Sequence, residues 1–134
     1  MSLDRIRLAS LHDKVMSAEQ AASFIENDMT VGMSGFTRAG EAKAVPQALA
    51  ERAKKNPLKI TLITGASLGN DLDKQLTEAG VLARRMPFQV DNTLRKAINQ
   101  GQVMFIDQHL SETVEQMRNN TLKRPDIAIV EAVA

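Results

Sequence analysis

Two periods of apolar residues alternate along the chain. Residues Asp4 to Lys14 predict a short helix. "SAEQAASFIEN" reads as a second helix, with Ser17 as N-cap and Gln20 three positions on, a capping box. Its stripe is Ala18, Ala21, Ala22 and Ile25. "MTVGMSG" then reads as a strand. A helix follows from about Val45 to Lys54, with Pro46 tolerated in its first turn. "LKITLITG" is rich in β-branched residues, and Gly65 ends that strand. "NDLDKQLTEAG" predicts a helix capped by Asn70 and stopped by Gly80, with Leu72, Leu76 and Ala79 inward. "VLARRMPFQV" is compatible with a short strand broken at Pro87. Asp91 to Asn99 form a helix that turns Leu94, Ala97 and Ile98 inward and stops at Gly101. "QVMFID" reads as a buried strand, "SETVEQMRN" as a helix joined by Leu110, and "PDIAIVEAV" as a final strand.

This order predicts an α/β fold: a mostly parallel sheet flanked by helices on both faces, in one domain over residues 1–134. Runs such as "VMFI" and "IAIV" suit strands covered on both sides. Crossovers are expected to be right-handed, and ligands to bind at the carboxyl ends of strands. The chain closes on "IVEAVA", directly after a strand of central character. That predicts either an edge position or a piece of something longer.

Composition narrows the function classes. Seventeen basic residues face sixteen acidic ones, so nothing in the charge calls for nucleic acid or a membrane surface. With no cysteine there is no thiolate metal site and no cysteine nucleophile. His12 and His109 lie far apart in sequence, which argues against zinc. Tryptophan and tyrosine are absent, leaving few platforms for stacking bases. No apolar run reaches the roughly 20 residues of a membrane span, and the start lacks a signal-peptide core, so the expected location is cytoplasmic.

Candidate chemistry sits in the loops after the strands. The first, Gly32 to Lys43, holds Gly32, Gly35 and Gly40 with Ser34, Phe36, Thr37, Arg38 and Lys43. The second, "TGASLGND", holds Gly65, Ser67 and Gly69. Glycine lets backbone approach a ligand, and successive N–H groups can cradle an anion. Hydroxyls of Ser34, Thr37 and Ser67 can add hydrogen bonds, and Arg38 and Lys43 can offset a carboxylate or phosphate. The spacing is neither a Walker loop nor a dinucleotide fingerprint, and tight turns explain the same glycines about as well. His109 reads as a strand-end donor or as a helix-capping residue, with capping favoured. Glu131 reads as a strand-terminal polar residue rather than a nucleophile, and Arg84-Arg85 as solvated surface.

At "SGFTRAGEAKAVPQAL" the chain resembles the amino-terminal part of the acetyl-CoA hydrolase/transferase family, the branch of class I CoA-transferases with succinate and acetate CoA-transferases. "TGAS" (Thr64–Ser67), "RRMPFQVDNTLRKAINQG" (Arg84–Gly101), "DQHLSE" (Asp107–Glu112) and "DIAIVEAVA" follow in the same order. Glu41, where the family often has a small residue, and Phe88, where tyrosine is common, depart from the pattern.

The resemblance implies a NagB/RpiA-type CoA-transferase half and an acyl-CoA site wall including Ser34, Gly35, Phe36, Thr37, Gly40, Lys43, Gly65, Ser67 and His109. It implies CoA as a substrate rather than a cofactor, with acyl-CoA, a small carboxylic acid and the second half of the same enzyme as partners. Family chemistry passes through a glutamate carboxylate that attacks the acyl-CoA carbonyl, then through a glutamyl-CoA thioester. That glutamate belongs to the later half, so no catalytic residue is carried over here, and this piece alone is expected to be inactive. Two other readings stay open: a stand-alone module binding a phosphorylated or carboxylated metabolite without catalysis, and a piece completed by a separate chain. A homo-oligomer through uncovered apolar surface is also open.

Overall fold

The computed structural model describes residues 3–66 and 68–133. Five strands, β1 (Thr30–Met33), β2 (Ile60–Thr64), β3 (Leu82–Met86), β4 (Met104–Phe105) and β5 (Ile127–Ile129), form one sheet in the order β4-β3-β2-β1-β5. Every pairing is parallel. The helices are α1 (Ala18–Ser23), α2 (Ala44–Lys55), α3 (Leu72–Glu78), α4 (Asn92–Asn99) and α5 (Leu110–Arg118).

The steps from β1 to β4 all advance in one direction, so right-handed crossovers set α2, α3 and α4 on one face. There α1 packs on α2, α2 on α3 and α3 on α4. The connection from β4 back to β5 reverses direction, and the same handedness sends α5 to the other face. The core lies under the row of helices, where Val31, Leu62 and Leu82 of the sheet meet Leu49, Leu76 and Leu94. Burying each such leucine contributes roughly 1.5–3 kcal/mol.

Local chemistry explains most boundaries. Ser17 Oγ accepts from Gln20 N at 3.1 Å and Gln20 Oε1 accepts from Ser17 N at 2.9 Å, the expected capping box. Asp91 caps α4 by accepting from Leu94 N at 2.8 Å. At Gly80, φ is 68°. The N–H of Val81 reaches Leu76 O and that of Gly80 reaches Thr77 O, which closes α3 in a Schellman turn.

Four expectations need correcting. Asp4 to Lys14 is not one helix but two short 3-10 turns, Leu3–Arg5 and Ala9–Lys14, with no buried residue. "QVMFID" yields a two-residue edge strand whose Met104 is 63% exposed, because no described strand pairs beyond β4. Asn70 does not cap α3; Asp71 holds that position without a side-chain bond. Arg85 is not solvated: it is fully buried, and its Nε and Nη2 donate to Asp73 Oδ1 and Oδ2 at 2.8 and 3.0 Å. A slip in register between Ile60 and Thr61 sets Arg85 opposite Leu62, on the face that α3 covers.

β5 lies at an edge, next to β1. Its start is tied to β1 by Asp126, whose Oδ2 accepts from Thr30 N at 2.8 Å and from Lys123 Nζ at 2.6 Å. The Lys123 bond and then the Thr30 bond hold the Asp126 carboxyl below its ordinary value of 3.8. Its contribution is therefore present above that value and is lost as pH falls through the lowered one. In an NMR titration the Asp126 carboxyl is expected to titrate below 3.8 while the Thr30 amide loses protection over the same range. Asp126→Asn is expected to abolish that pH dependence.

Candidate functional site

Met33 of β1 pairs with Thr64 of β2, so the two glycine loops leave the sheet side by side. In the first loop Phe36 and Ala39 exchange two N–H···O bonds of 2.9 Å, closing a tight turn over Thr37 and Arg38. Thr37 sits at φ 55°, a left-handed position that a β-branched residue adopts only when its surroundings hold it there. The second loop supplies that hold. Thr37 N donates to Ala66 O at 3.2 Å, and Gly69 N donates to Thr37 O at 2.6 Å.

The glycines allow this contact. A Cβ on Gly65 would stand 2.2 Å from Gly35 O. Gly35 has φ +150°, and a Cβ there would stand 2.4 Å from Leu68 Cδ2. Gly40 differs: it has positive φ but open space around it. The bonds that join the loops use the N–H groups of Thr37 and Gly69 and leave those of Gly35 and Gly65 out of the joint.

Glu41 makes a second joint. Its carboxylate is 1% exposed and accepts from Asn70 N at 3.1 Å and Leu72 N at 2.9 Å. It thus does for the start of α3 what Asn70 was expected to do, from the neighbouring loop. Residues 29 and 31 positions apart make these bonds, so no local pattern announces them.

The predicted polar residues divide into two groups. Ser34 is committed to the backbone: its Oγ donates to Gly40 O at 2.6 Å and accepts from Glu131 N at 2.8 Å. Lys43 is committed to Glu131, with Nζ at 2.6 and 2.7 Å from the two carboxylate oxygens. By contrast Arg38 is exposed and makes no hydrogen bond or ion pair with a described residue. Phe36, 61% exposed, stands at the same turn. Ser67 lies outside the described residues.

His109 is the N-cap of α5, but its side chain makes no capping bond. Its Nδ1 is 2.8 Å from Ser111 Oγ. The imidazole lines a shallow depression of about 380 Å³ with Ala66, Phe88, Asp107, Gln108 and Leu110. That depression joins the second glycine loop to the ends of β3 and β4. Gln89, next to Phe88, has a buried Oε1 with no partner, an acceptor left unfilled by the described residues. A larger groove of about 520 Å³ is lined by residues of α1 and α2 alone and includes no residue of either loop.

The strand-end surface thus offers a guanidinium with no partner among the described residues, an exposed phenylalanine and an imidazole. This equipment suits an extended ligand with anionic and apolar parts. No group of carboxylate, histidine or cysteine side chains able to hold a metal occurs among the described residues. No helix among them is long and apolar enough to cross a membrane.

The fold is shared with solved structures. It matches an acyl-CoA transferase from Escherichia coli, in a thioester complex with CoA, at a TM-score of 0.63 and 18% identity over 78% of this chain and 24% of that one. It matches the decarboxylase AibA/AibB at the same TM-score with 19% identity, over 77% of this chain and 41% of that one.

The sequence goes further. The acetyl-CoA hydrolase/transferase N-terminal domain model matches residues 2–134, and the chain belongs to that family. It is 43% identical over 132 residues to succinyl-CoA:acetate CoA-transferase of Clostridium kluyveri, covering 97% of this chain and 24% of that one. It is 42% identical over 124 residues to propanoyl-CoA:succinate CoA transferase of Escherichia coli, covering 89% and 25%. Acetyl-CoA hydrolase of Saccharomyces cerevisiae is 36% identical over 144 residues, covering 97% and 27%. The chain spans about a quarter of the length of these curated relatives.

Proposed function

We propose that this domain forms one wall of an acyl-CoA site in an enzyme that transfers CoA between carboxylic acids or hydrolyses acyl-CoA. The observation that carries the reading is the pair of joined glycine loops at the ends of β1 and β2, in a chain of this family. Gly35 and Gly65 let the two loops close on each other, which sets the loops' backbone donors before a thioester or carboxylate. Arg38 meets a phosphate of CoA, with Thr37 beside it. Phe36, and the depression of Phe88, Leu110 and His109, take less polar parts of the ligand. The attacking glutamate comes from the remainder of a family-length chain, so these 134 residues alone turn nothing over.

The reading is tested with a family-length chain carrying this segment, supplied with an acyl-CoA and a second carboxylic acid. New acyl-CoA or free thiol is the expected product; the absence of both overturns it. In that chain Arg38→Ala is expected to raise KM for acyl-CoA roughly tenfold, the worth of one charge-assisted hydrogen bond, with kcat within about twofold. Steady-state kinetics decide; an unchanged KM removes Arg38 from the site. Calorimetry with CoA on the 134-residue chain separates the module reading, which requires tight binding, from the wall reading, which requires weak binding.

A further inference from the structure

We infer that Glu131 is a positioning residue, the latch that holds both ends of the first glycine loop against the end of β5. The inference rests on the acyl-CoA reading for its kinetic consequence and on geometry alone for the latch itself. At the loop's start, Ser34 N donates to Ile129 O at 2.9 Å. Ser34 Oγ accepts from Glu131 N at 2.8 Å and donates across the loop to Gly40 O at 2.6 Å. At the loop's end, Lys43 Nζ donates to Glu41 O at 2.9 Å and to both oxygens of Glu131 at 2.6 and 2.7 Å. One residue, 97 positions from Ser34 and 88 from Lys43, therefore fixes both ends.

This arrangement reassigns Lys43. An ammonium has three donors, and all three are taken by Glu41 O and the Glu131 carboxylate. Lys43 acts through Glu131 instead of reaching for a ligand anion, which leaves Arg38 as the loop cation without a partner among the described residues. The side chains of Lys43 and Glu131 are 61% and 39% exposed, so the ion pair alone is worth at most about 1 kcal/mol. The fold does not depend on it; loop placement does.

Two measurements test the latch. In the 134-residue chain, Glu131→Gln and Lys43→Met are each expected to speed hydrogen exchange of the loop amides between Ser34 and Lys43 roughly fivefold. Amides of β2 and α2 are expected to stay unchanged. In a family-length enzyme, both variants are expected to lower kcat/KM and to move KM for acyl-CoA in the same direction. The double variant is expected to be no worse than either single one, and exchanging the charges, Lys43→Glu with Glu131→Lys, to recover part of the loss. Unchanged loop exchange in both variants overturns the latch. So does a rise in KM with Lys43→Met alone while Glu131→Gln leaves KM unchanged or lowers it, because Lys43 would then touch the ligand itself. A wild-type family-length chain with neither transfer nor hydrolysis sinks the acyl-CoA reading instead, and the exchange measurement still decides the latch.

Discussion

Asp73→Ala is expected to destabilise the domain by about 3–5 kcal/mol, the usual cost of leaving one member of a buried ion pair unpaired. Arg85 and Asp73 are 0% and 1% exposed, so water does not replace the lost carboxylate. The guanidinium would keep only its bond to Met86 O. That carbonyl immediately precedes Pro87 and Phe88, and Phe88 lines the depression beside the second glycine loop. The damage should therefore reach the candidate site as well as the core. Replacing both partners with apolar residues of similar volume, Asp73→Leu with Arg85→Met, is expected to recover most of the stability. Urea denaturation of the two variants checks this. A loss below about 1 kcal/mol for Asp73→Ala would mean the pair is effectively solvated, as exposed pairs are.

The same pair shows where sequence reading stops. Helices and strands announced themselves through local signals: the Ser17–Gln20 box, the β-branched run at Ile60–Thr64, the stop at Gly80. Arg85 sits beside Arg84 and twelve positions from its partner, with nothing nearby to distinguish a buried arginine from a surface one. Burial there depends on the register slip at Ile60/Thr61, a property of two strands together. The short β4 has a related cause. "VMFI" has the composition of a covered strand, but cover depends on neighbours, and β4 has only β3.

The candidate site was legible in part for the same reason. Glycine-rich strand ends are a local feature, and the structure does set two of them side by side. Which polar groups remain available is a tertiary matter. Ser34 and Lys43 look as free as Arg38 in the sequence, yet Glu131 occupies the first two from nearly ninety residues or more away. Glu41 reads as a departure from the family pattern and turns out to join the first loop to the start of α3.

Gly65→Ala is expected to be the most damaging small substitution at the site. A methyl group there would lie 2.2 Å from Gly35 O, and real Cβ contacts essentially never fall under 3.0 Å. The obstacle is backbone, so no side-chain rotation relieves it; the two loops must part by most of an ångström. That motion strains the bonds from Thr37 to Ala66 and from Gly69 to Thr37. Overpacking of this kind costs about 1–3 kcal/mol. A displacement near an ångström at a reacting site can cost roughly a hundredfold in rate, so kcat/KM of a family-length enzyme should fall by about that factor. Gly40→Ala is the control. Its Cβ meets open space, and only the left-handed backbone at φ +61° opposes it. That strain costs about 1–2 kcal/mol without forcing the loops apart. A large kinetic loss for Gly65→Ala beside a small one for Gly40→Ala, with both variants folded by thermal melting, would place the requirement in loop-to-loop contact. Wild-type kcat/KM in a folded Gly65→Ala enzyme would show that the contact between the loops has no part in the reaction.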